Sequence, residues 1–376
     1  MAKFDHSVNL PQVFKKHALS ILPLSRSKYI VGQFKTHFTI ASGIEKQHKV
    51  FEAPENIESI RFPYLNSESL ALHYAYIADL ITDFLGEKAH QTVSGRMSSG
   101  CFDFAIDGRN ITVENSQCEI DAGFESNEYL LLIEAKNYTV DDFLIRQLYY
   151  PFRLWSSKID KKVIPALMTF SNDVFTFYEF QFADINQYSS LTLKRVVEYS
   201  LQPEPISSDD VMEILSQLSA THNNESIPFP QANKFERIID LISLLTDREL
   251  TRNEITENYQ FDMRQTQYYT DAGRYLGLIE KTTNEASAIN FCLTQEAIQI
   301  FNSSYKDKYL GIIATILKQP VFSRVFRSSL KIGHVPERSE IVNIMKEENL
   351  QMNMTTMSRR ASTVSAWINW IWEQIA

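Results

Sequence analysis

The sequence predicts an α/β (α+β) N-terminal half, with a mixed central sheet flanked by helices, and a mainly α C-terminal half. Three observations lead there. Between residues 67 and 182 a helix-periodic stretch, several strand-like stretches, a second helix and further strands follow one another, the order of a sheet covered by helices. Beyond a break at 203–232, marked by Pro203, Pro205, Pro228 and Pro230, apolar residues recur mostly at helical spacing. The chain has 376 residues, enough for two or three domains at about 150 each, and 44% of them are hydrophobic, enough for a sizeable core.

The first sixty residues read as a small arm, 1–65, with short strands near Tyr29–Phe34 and Lys49–Glu52. Ser67 to Leu85 reads as one helix. Leu70, Tyr74, Ile77, Ile81 and Phe84 share a face, Ser67 is the expected N-cap and Gly86 the stop. The loop Ser94–Gly100 precedes an alternating run Cys101–Ile106, an Asp107-Gly108 turn and a return strand Ile111–Val113. Gln117–Glu125 and Tyr129–Lys136 are two more strands about a Ser126-Asn127 turn. A helix is expected from Val140 to about Trp155, ended or kinked by Pro151. Val163–Phe170 and Val174–Phe182 complete the sheet, giving a domain over 1–202. Residues 203–232 read as a linker around a polar helix.

Within 233–304 the pattern is helix (Phe235–Leu245), short helix (Arg252–Asn258), helix (Met263–Leu276) and a hairpin of Leu278–Lys281 with Ile289–Leu293. That order describes a winged helix-turn-helix. The tail, 305–376, reads as helices near Tyr309–Leu317, Val321–Leu330, Ser339–Glu347 and Thr355–Ile371, open to reading as a second helix-turn-helix.

Composition excludes several classes. Eleven glycines, under half the usual share, argue against collagen-like, solenoid or glycine-linker architectures. No apolar run is long enough to cross a membrane, and Met1 to Leu10 lacks a signal-peptide core, so a cytoplasmic protein without a membrane partner is expected. Cys101, Cys118 and Cys292 form no CxxC pair, which supports neither zinc nor disulfides; buried or half-buried free thiols are expected. The net charge of −9 is unevenly spread. Residues 1–50 carry 8 basic and 2 acidic side chains, 305–376 carry 10 and 6, and 51–304 carry 19 and 38. Two basic ends around an acidic middle suit a phosphate-gripping protein better than the net charge implies.

The chemistry concentrates at Glu119-Ile-Asp121 and Glu134-Ala-Lys136. Side chains two apart share a strand face, so Glu134 and Lys136 project together from a strand whose residues 129–133 are apolar on both faces. Burying an acid and a lysine there is costly unless they pair or line a site. The hairpin returns Asp121 to the same end. Two carboxylates can hold a hard cation through oxygen, and the amine can position or deprotonate a water near a phosphate. Glu119 shares the face of Asp121 and is its rival.

This spacing resembles the PD-(D/E)xK nuclease superfamily, specifically type II restriction endonucleases. Asp121 matches the first acid and Glu134-Ala135-Lys136 the second element; Ile120 stands where the superfamily often has proline. The helix, antiparallel strands, helix and strand from Ser67 to Phe170 match the superfamily core. The resemblance implies a restriction-endonuclease-like fold and Mg²⁺ held by Asp121 and Glu134. It also implies water activated near Lys136 and hydrolysis of double-stranded DNA to 5′-phosphate and 3′-hydroxyl ends. Cutting both strands of a palindrome implies a two-fold homodimer. Some members carry an acid on the first helix, matched by Glu68 or Asp79, with Glu68 preferred. Others carry a glutamine and a tyrosine after ExK, matched loosely by Gln147 and Tyr150.

DNA contacts are expected at three places. Arg96, Ser98 and Ser99, with small neighbours, suit a phosphate backbone. Arg264, Gln265, Gln267, Tyr268 and Arg274 lie on the third helix of the winged-helix pattern, and Arg and Gln suit bidentate contacts with guanine and adenine. Arg359 and Arg360, with Ser358 and Thr363, open the last long helix. Two alternatives stay open: a repair or structure-specific nuclease of the same fold, and a non-catalytic DNA-binding regulator that keeps the domain as scaffold.

Overall fold

The computed structural model describes all residues except 1–3, 55–56, 61, 63–64, 202–204, 219–226, 260, 284–288, 349, 351 and 376. The chain forms two compact units, 1–202 and 203–376. Pro203 and residues 219–226 of the expected linker, and the tip of the expected hairpin at 284–288, lie outside the described residues.

The first unit opens with a short helix α1 (Gln12–Lys16) and a hairpin of β1 (Ser20–Pro23) with β2 (Tyr29–Gly32). Two more short strands follow, β3 (His37–Thr39) and β4 (Gln47–Phe51). The expected helix 67–85 is two helices, α2 (Glu68–Ile77) and α3 (Leu80–Leu85). Ser67 caps the first, its Oγ accepting from Leu70 N at 3.2 Å, and Gly86 ends the second in the left-handed region. The break is at Asp79, whose φ of +57° takes the chain out of the right-handed helix; Asp tolerates this conformation better than most residues. The turn changes the phase of the apolar stripe. Tyr74, Ile81 and Phe84 are buried as the periodicity predicts, but Ile77 is exposed.

The strands β5 (His90–Ser98), β6 (Cys101–Ile106), β7 (Arg109–Glu114), β8 (Gln117–Glu125) and β9 (Tyr129–Lys136) follow. The expected loop at Ser94–Gly100 is thus strand as far as Ser98, because β5 pairs antiparallel with β8. The region 140–145 also departs from expectation. Asp142–Leu144 is a strand, β10, because it pairs with β3, and the helix α4 (Arg146–Ser156) begins only after it. Pro151 lies inside α4 and does not end it. The unit closes with β11 (Lys162–Ser171), β12 (Val174–Phe182) and β13 (Leu191–Leu201).

Seven strands form one mixed sheet in the order β4-β13-β12-β11-β9-β8-β5. β9 and β11 run parallel, as do β13 and β4; the other neighbours are antiparallel. Each face carries its own core. Tyr74, Ile81 and Phe84 from α2 and α3 pack with Phe124, Leu131, Ile133 and Met168. Leu148, Tyr149 and Leu154 from α4 pack with Leu167 and Phe180 on the other side. β9 is therefore buried on both faces, which is why its sequence lacks alternation. Gly123 permits a close strand crossing. A Cβ there would lie 2.9 Å from Val93 Cβ and 3.2 Å from Val93 O, at the irregular pairing of β5 with β8.

The second unit is mainly helical. It contains α5 (Ser208–Gln217), α6 (Glu236–Leu245), β14 (Leu250–Thr251), α7 (Arg252–Asn258), α8 (Met263–Tyr275), β15 (Ile279–Thr283) and β16 (Ile289–Leu293). The three strands form a sheet in the order β14-β16-β15. Reciprocal caps start α7 at Thr251/Glu254 and α8 at Asp262/Gln265. Five further helices follow: α9 (Gln295–Phe301), α10 (Tyr305–Leu317), α11 (Pro320–Ile332), α12 (Arg338–Glu347) and α13 (Met354–Gln374). α13 packs back on the start of α6. Trp367 is fully buried against Phe235, with ring centroids 5.1 Å apart, and its Nε1 donates to Ala232 O at 2.7 Å. Among the described residues, no helix is long and apolar enough to cross a membrane. The cysteines are free; Cys118 is buried and Cys292 half-buried, whereas Cys101 is exposed, against the expectation, because β6 and β7 form a two-stranded sheet of their own.

Candidate active site

Four elements bring acids, an amide and a lysine to one end of the central sheet. The β8–β9 pairing runs from Glu125/Leu130 to Ala122/Ile133. One residue further on, Asp121 Oδ2 accepts from the backbone N–H of Ala135 at 2.8 Å, so its carboxylate takes over where the ladder stops. Glu134 and Lys136 project from the last turns of the pleat and are only 7% and 6% exposed. Lys136 Nζ donates to Glu134 Oε1 at 2.6 Å and to Ala135 O at 3.0 Å. From α4, Gln147 Nε2 donates to the same Oε1 of Glu134. From the first turn of α2, Glu68 Oε1 lies 3.7 Å from Lys136 Nζ.

Burial is the dominant electrostatic fact. Desolvation raises the pKa of Glu134 to about 8, against the pull of Lys136, and raises those of Asp121 and Glu68 for the same reason. Burial works against the charge of Lys136, but Glu134, Glu68 and Asp121 outweigh it, and the lysine pKa stands well above its ordinary value. Lys136 is therefore held as an ammonium that donates hydrogen bonds. Asn137 Oδ1, next in sequence to Lys136, and Gln147 Oε1 are buried with no hydrogen-bond partner among the described residues. Such atoms are rare in a folded protein and need a water, ion or ligand.

The geometry separates the two rival acids. Glu119 is exposed and pairs with Arg96 across β5 and β8 at 3.1 Å. Asp121 is the acid that reaches β9. Glu68 joins the cluster, whereas Asp79 is the left-handed residue between α2 and α3. Tyr150 does not join: its ring is buried and its hydroxyl donates to Pro23 O at 2.8 Å. Of the residues expected to meet DNA in this unit, Arg96 is held by Glu119 and Ser98 Oγ donates to Asn115 Oδ1 at 3.0 Å. Ser99 is buried and spends its hydroxyl on Gly100 O.

Sequence reasoning placed an N-terminal arm at 1–65 but missed the contacts that fasten it beside the site. His37 Nε2 donates to Phe4 O at 2.9 Å. His6, 3% exposed, donates from Nδ1 to Asp142 O at 2.6 Å, and its Nε2 is hydrogen-bonded to Tyr138 OH at 2.9 Å. Ser7 N adds bonds to both carboxylate oxygens of Asp142 at 3.3 and 3.2 Å. Asp5, between these anchors, is one of the lesser negative charges that raise Glu68 and Asp121. No periodicity marks these contacts, which span 33 to 136 residues of chain.

In the second unit, α8 presents Arg264 to solvent, with its Nε donating to Tyr268 OH at 2.5 Å. Gln265 Oε1 is committed to the cap, accepting from Asp262 N at 3.0 Å, and Gln267 donates to Asp271, which also pairs with Arg274 at 3.0 Å. Arg359 is exposed on α13; Arg360 is half-buried and bonded to Gln231 Oε1 at 2.5 Å.

Three family models match successive parts of the chain: a domain of unknown function (DUF6996) over residues 1–31, another (DUF6997) over 32–200, and a third (DUF7226) over 237–376. No curated protein and no solved structure matches. The second match contains Glu68, Asp121, Glu134, Lys136 and Gln147, and it ends within β13. The first ends inside β2, so this boundary cuts a strand that pairs with β1.

The donor set suits one small hard cation. Mg²⁺ takes one or two carboxylates and keeps several waters, and Asp121 and Glu134 offer two carboxylates at one strand end. Among the described residues, no three His, Cys, Asp or Glu side chains are placed to hold a metal ion by themselves. Here Asp121 is drawn to Ala135 N, and the third acid, Glu68, faces the lysine. The partnerless Gln147 Oε1, on the side chain that already holds Glu134, marks unmet polar demand at the same place.

Proposed function

We propose that this chain is a Mg²⁺-dependent nuclease of the PD-(D/E)xK type, a type II restriction endonuclease that cuts double-stranded DNA at a specific sequence as a homodimer. One observation carries the reading: Asp121, Glu134, Lys136, Gln147 and Glu68 come from four elements to one buried strand end. A structural ion pair needs two of these groups. It does not need a third acid, an amide and a second carboxylate tied to the backbone of the same strand.

Asp121 and Glu134 would hold the cation, which when bound would neutralise charge on the scissile phosphate. The chain's own groups have separate tasks. Lys136, kept as an ammonium, donates a hydrogen bond that orients the attacking water and faces the developing negative charge. Gln147, with Lys136, holds Oε1 of Glu134, which would leave the other carboxylate oxygen to the cation. Ala135 N–H does the same for Asp121. In-line attack leaves a 5′-phosphate and a 3′-hydroxyl. The sheet with helices on both faces supports a restriction-endonuclease-like core. In the second unit, the order α6, β14, α7, α8, β15, β16 supports a winged helix-turn-helix with α8 as the reading helix.

The test is incubation of the purified protein with mixed-sequence duplex DNA and Mg²⁺. Discrete fragments whose sequenced ends share one motif are expected, with none in EDTA and none from Lys136→Ala. Smears without a common end, or cleavage confined to branched DNA, would favour a repair or structure-specific nuclease. Specific binding without cleavage under any condition would favour a regulator.

A further inference from the structure

The second unit contains a cleft of about 450 Å³ lined by Gln231, Asn233, Gln265, Tyr268, Tyr269, Arg338, Arg359 and Ser362. Residues 203–376 hold 17 basic and 22 acidic side chains, yet no acid lines this cleft. Four arginines gather about it. Arg338 donates to Ser362 Oγ. Arg360 is braced by Gln231, and the like charge of Arg359 acts on it. Arg264 bonds and stacks on Tyr268, its guanidinium carbon 5.3 Å from the ring centre. Among the described residues, none of the four forms an ion pair with a carboxylate. Arg248, Arg274 and Arg324 in the same unit each do. A cluster of like charges without counter-charge, in a unit with acids to spare, repels itself and is relieved by an anionic partner.

The other lining groups narrow the partner. A half-buried tyrosine beside three amide side chains offers a ring face, which a bare inorganic anion does not use. We propose that the cleft between α8, α12 and α13 is a DNA-strand site. Arg338 and Arg359 hold successive phosphates of one strand, and Tyr268, Gln231 and Asn233 meet the adjoining sugars and bases. This rests on the reading of the chain as a DNA-cutting enzyme and deepens it. The strand is gripped by a surface shared by the three-helix module and the tail, to which Arg338 from α12 contributes.

The test uses the full chain and a fluorescein-labelled mixed-sequence duplex in EDTA, with affinity measured by anisotropy between about 50 and 200 mM KCl, where phosphate contacts dominate the salt dependence. The double variant R338A/R359A is expected to flatten the slope of log K against log salt by about 1.8, at 0.9 per lost phosphate contact. Arg248→Ala, which removes a guanidinium engaged by Glu254 at 2.8 Å, leaves the slope unchanged. If the double variant melts below wild type, Arg359→Glu alone, at an exposed position, must weaken binding in its place. An unchanged slope, or an equal change in Arg248→Ala, overturns the assignment. So does displacement of the duplex by equimolar inorganic phosphate or nucleoside monophosphate. Mg²⁺-dependent cleavage that persists while the slope is unchanged sinks only the cleft; no binding of duplex by wild type sinks both readings.

Discussion

Replacing Lys136 by Met keeps the side-chain stem and removes the charge, and its effect on stability depends on pH in a way that tests the electrostatics of the site. The lysine Nζ lies 2.6 Å from Glu134 Oε1, a gross attraction of roughly 6 kcal/mol at an effective dielectric constant near 20. Desolvation of both groups cancels part of this, and breaking a buried pair by removing one partner costs about 3–5 kcal/mol in practice. The full cost applies only when Glu134 is ionised. Its pKa in the folded chain is raised to about 8, so near pH 6 it holds its proton with or without the lysine. The variant then loses a hydrogen bond of about 1 kcal/mol. Near pH 9 the wild-type acid has ionised against Lys136, whereas in the variant it keeps its proton, so the one pH unit above 8 adds about 1.4 kcal/mol and the deficit widens to about 2–3 kcal/mol. The sign follows from linkage. A group with a raised folded pKa weakens the fold as pH climbs above its unfolded value, and Lys136 halts that loss near pH 8 in wild type but not in the variant. Urea unfolding at pH 6 and pH 9, each in EDTA, measures it. Equal deficits at the two pH values would show that the pair is not the origin of the cost and would refute the assignment of a charged Lys136–Glu134 pair.

The remaining predictions follow from the same geometry. Asp121→Asn should lower Mg²⁺-dependent cleavage by about 10²-fold or more, the scale for removing one charge-handling group, whereas Glu119→Ala should stay near wild type; single-turnover rates decide between them. Gln147→Leu removes the amide that holds Glu134 and should weaken Mg²⁺ binding about 10–100-fold, read by titrating cleavage rate against Mg²⁺. Gly123→Ala places a methyl 2.9 Å from Val93 Cβ and should destabilise the first unit by about 1–3 kcal/mol in denaturant, with the second unit's transition unchanged.

How much of this was legible in the sequence depended on whether the signal was local. The hairpin of 117–125 and 129–136 was readable because a short polar turn separates two strand-like runs and the second lacks alternation. Asp121, Glu134 and Lys136 followed from that register, and Glu68 and Gln147 from the resemblance. The strand at Asp142–Leu144 was not readable, because only its distant partner His37–Thr39 keeps it out of the following helix. Nor was Leu191–Leu201, whose pairing with both Val174–Phe182 and Gln47–Phe51 is a tertiary event. The helix break at Asp79 lay in a single backbone angle that an uninterrupted apolar stripe concealed. The arginine cleft was hidden for a different reason. Arg338 and Arg359 stand on separate helices, and Gln231 lies in a stretch that reads as linker.

The fastening of His6 to Tyr138 and Asp142 bears on how such a domain could be transplanted. A segment cut at the family-model boundary, 32–200, would carry all five site residues into a new host protein. It would leave behind β1, half of the β1–β2 ribbon, and the imidazole that braces the chain two residues past the lysine. Keeping the surroundings of the site as they stand therefore requires the first thirty residues to travel with it, so recombination within this strand pair would break a structural unit that sequence comparison divides in two.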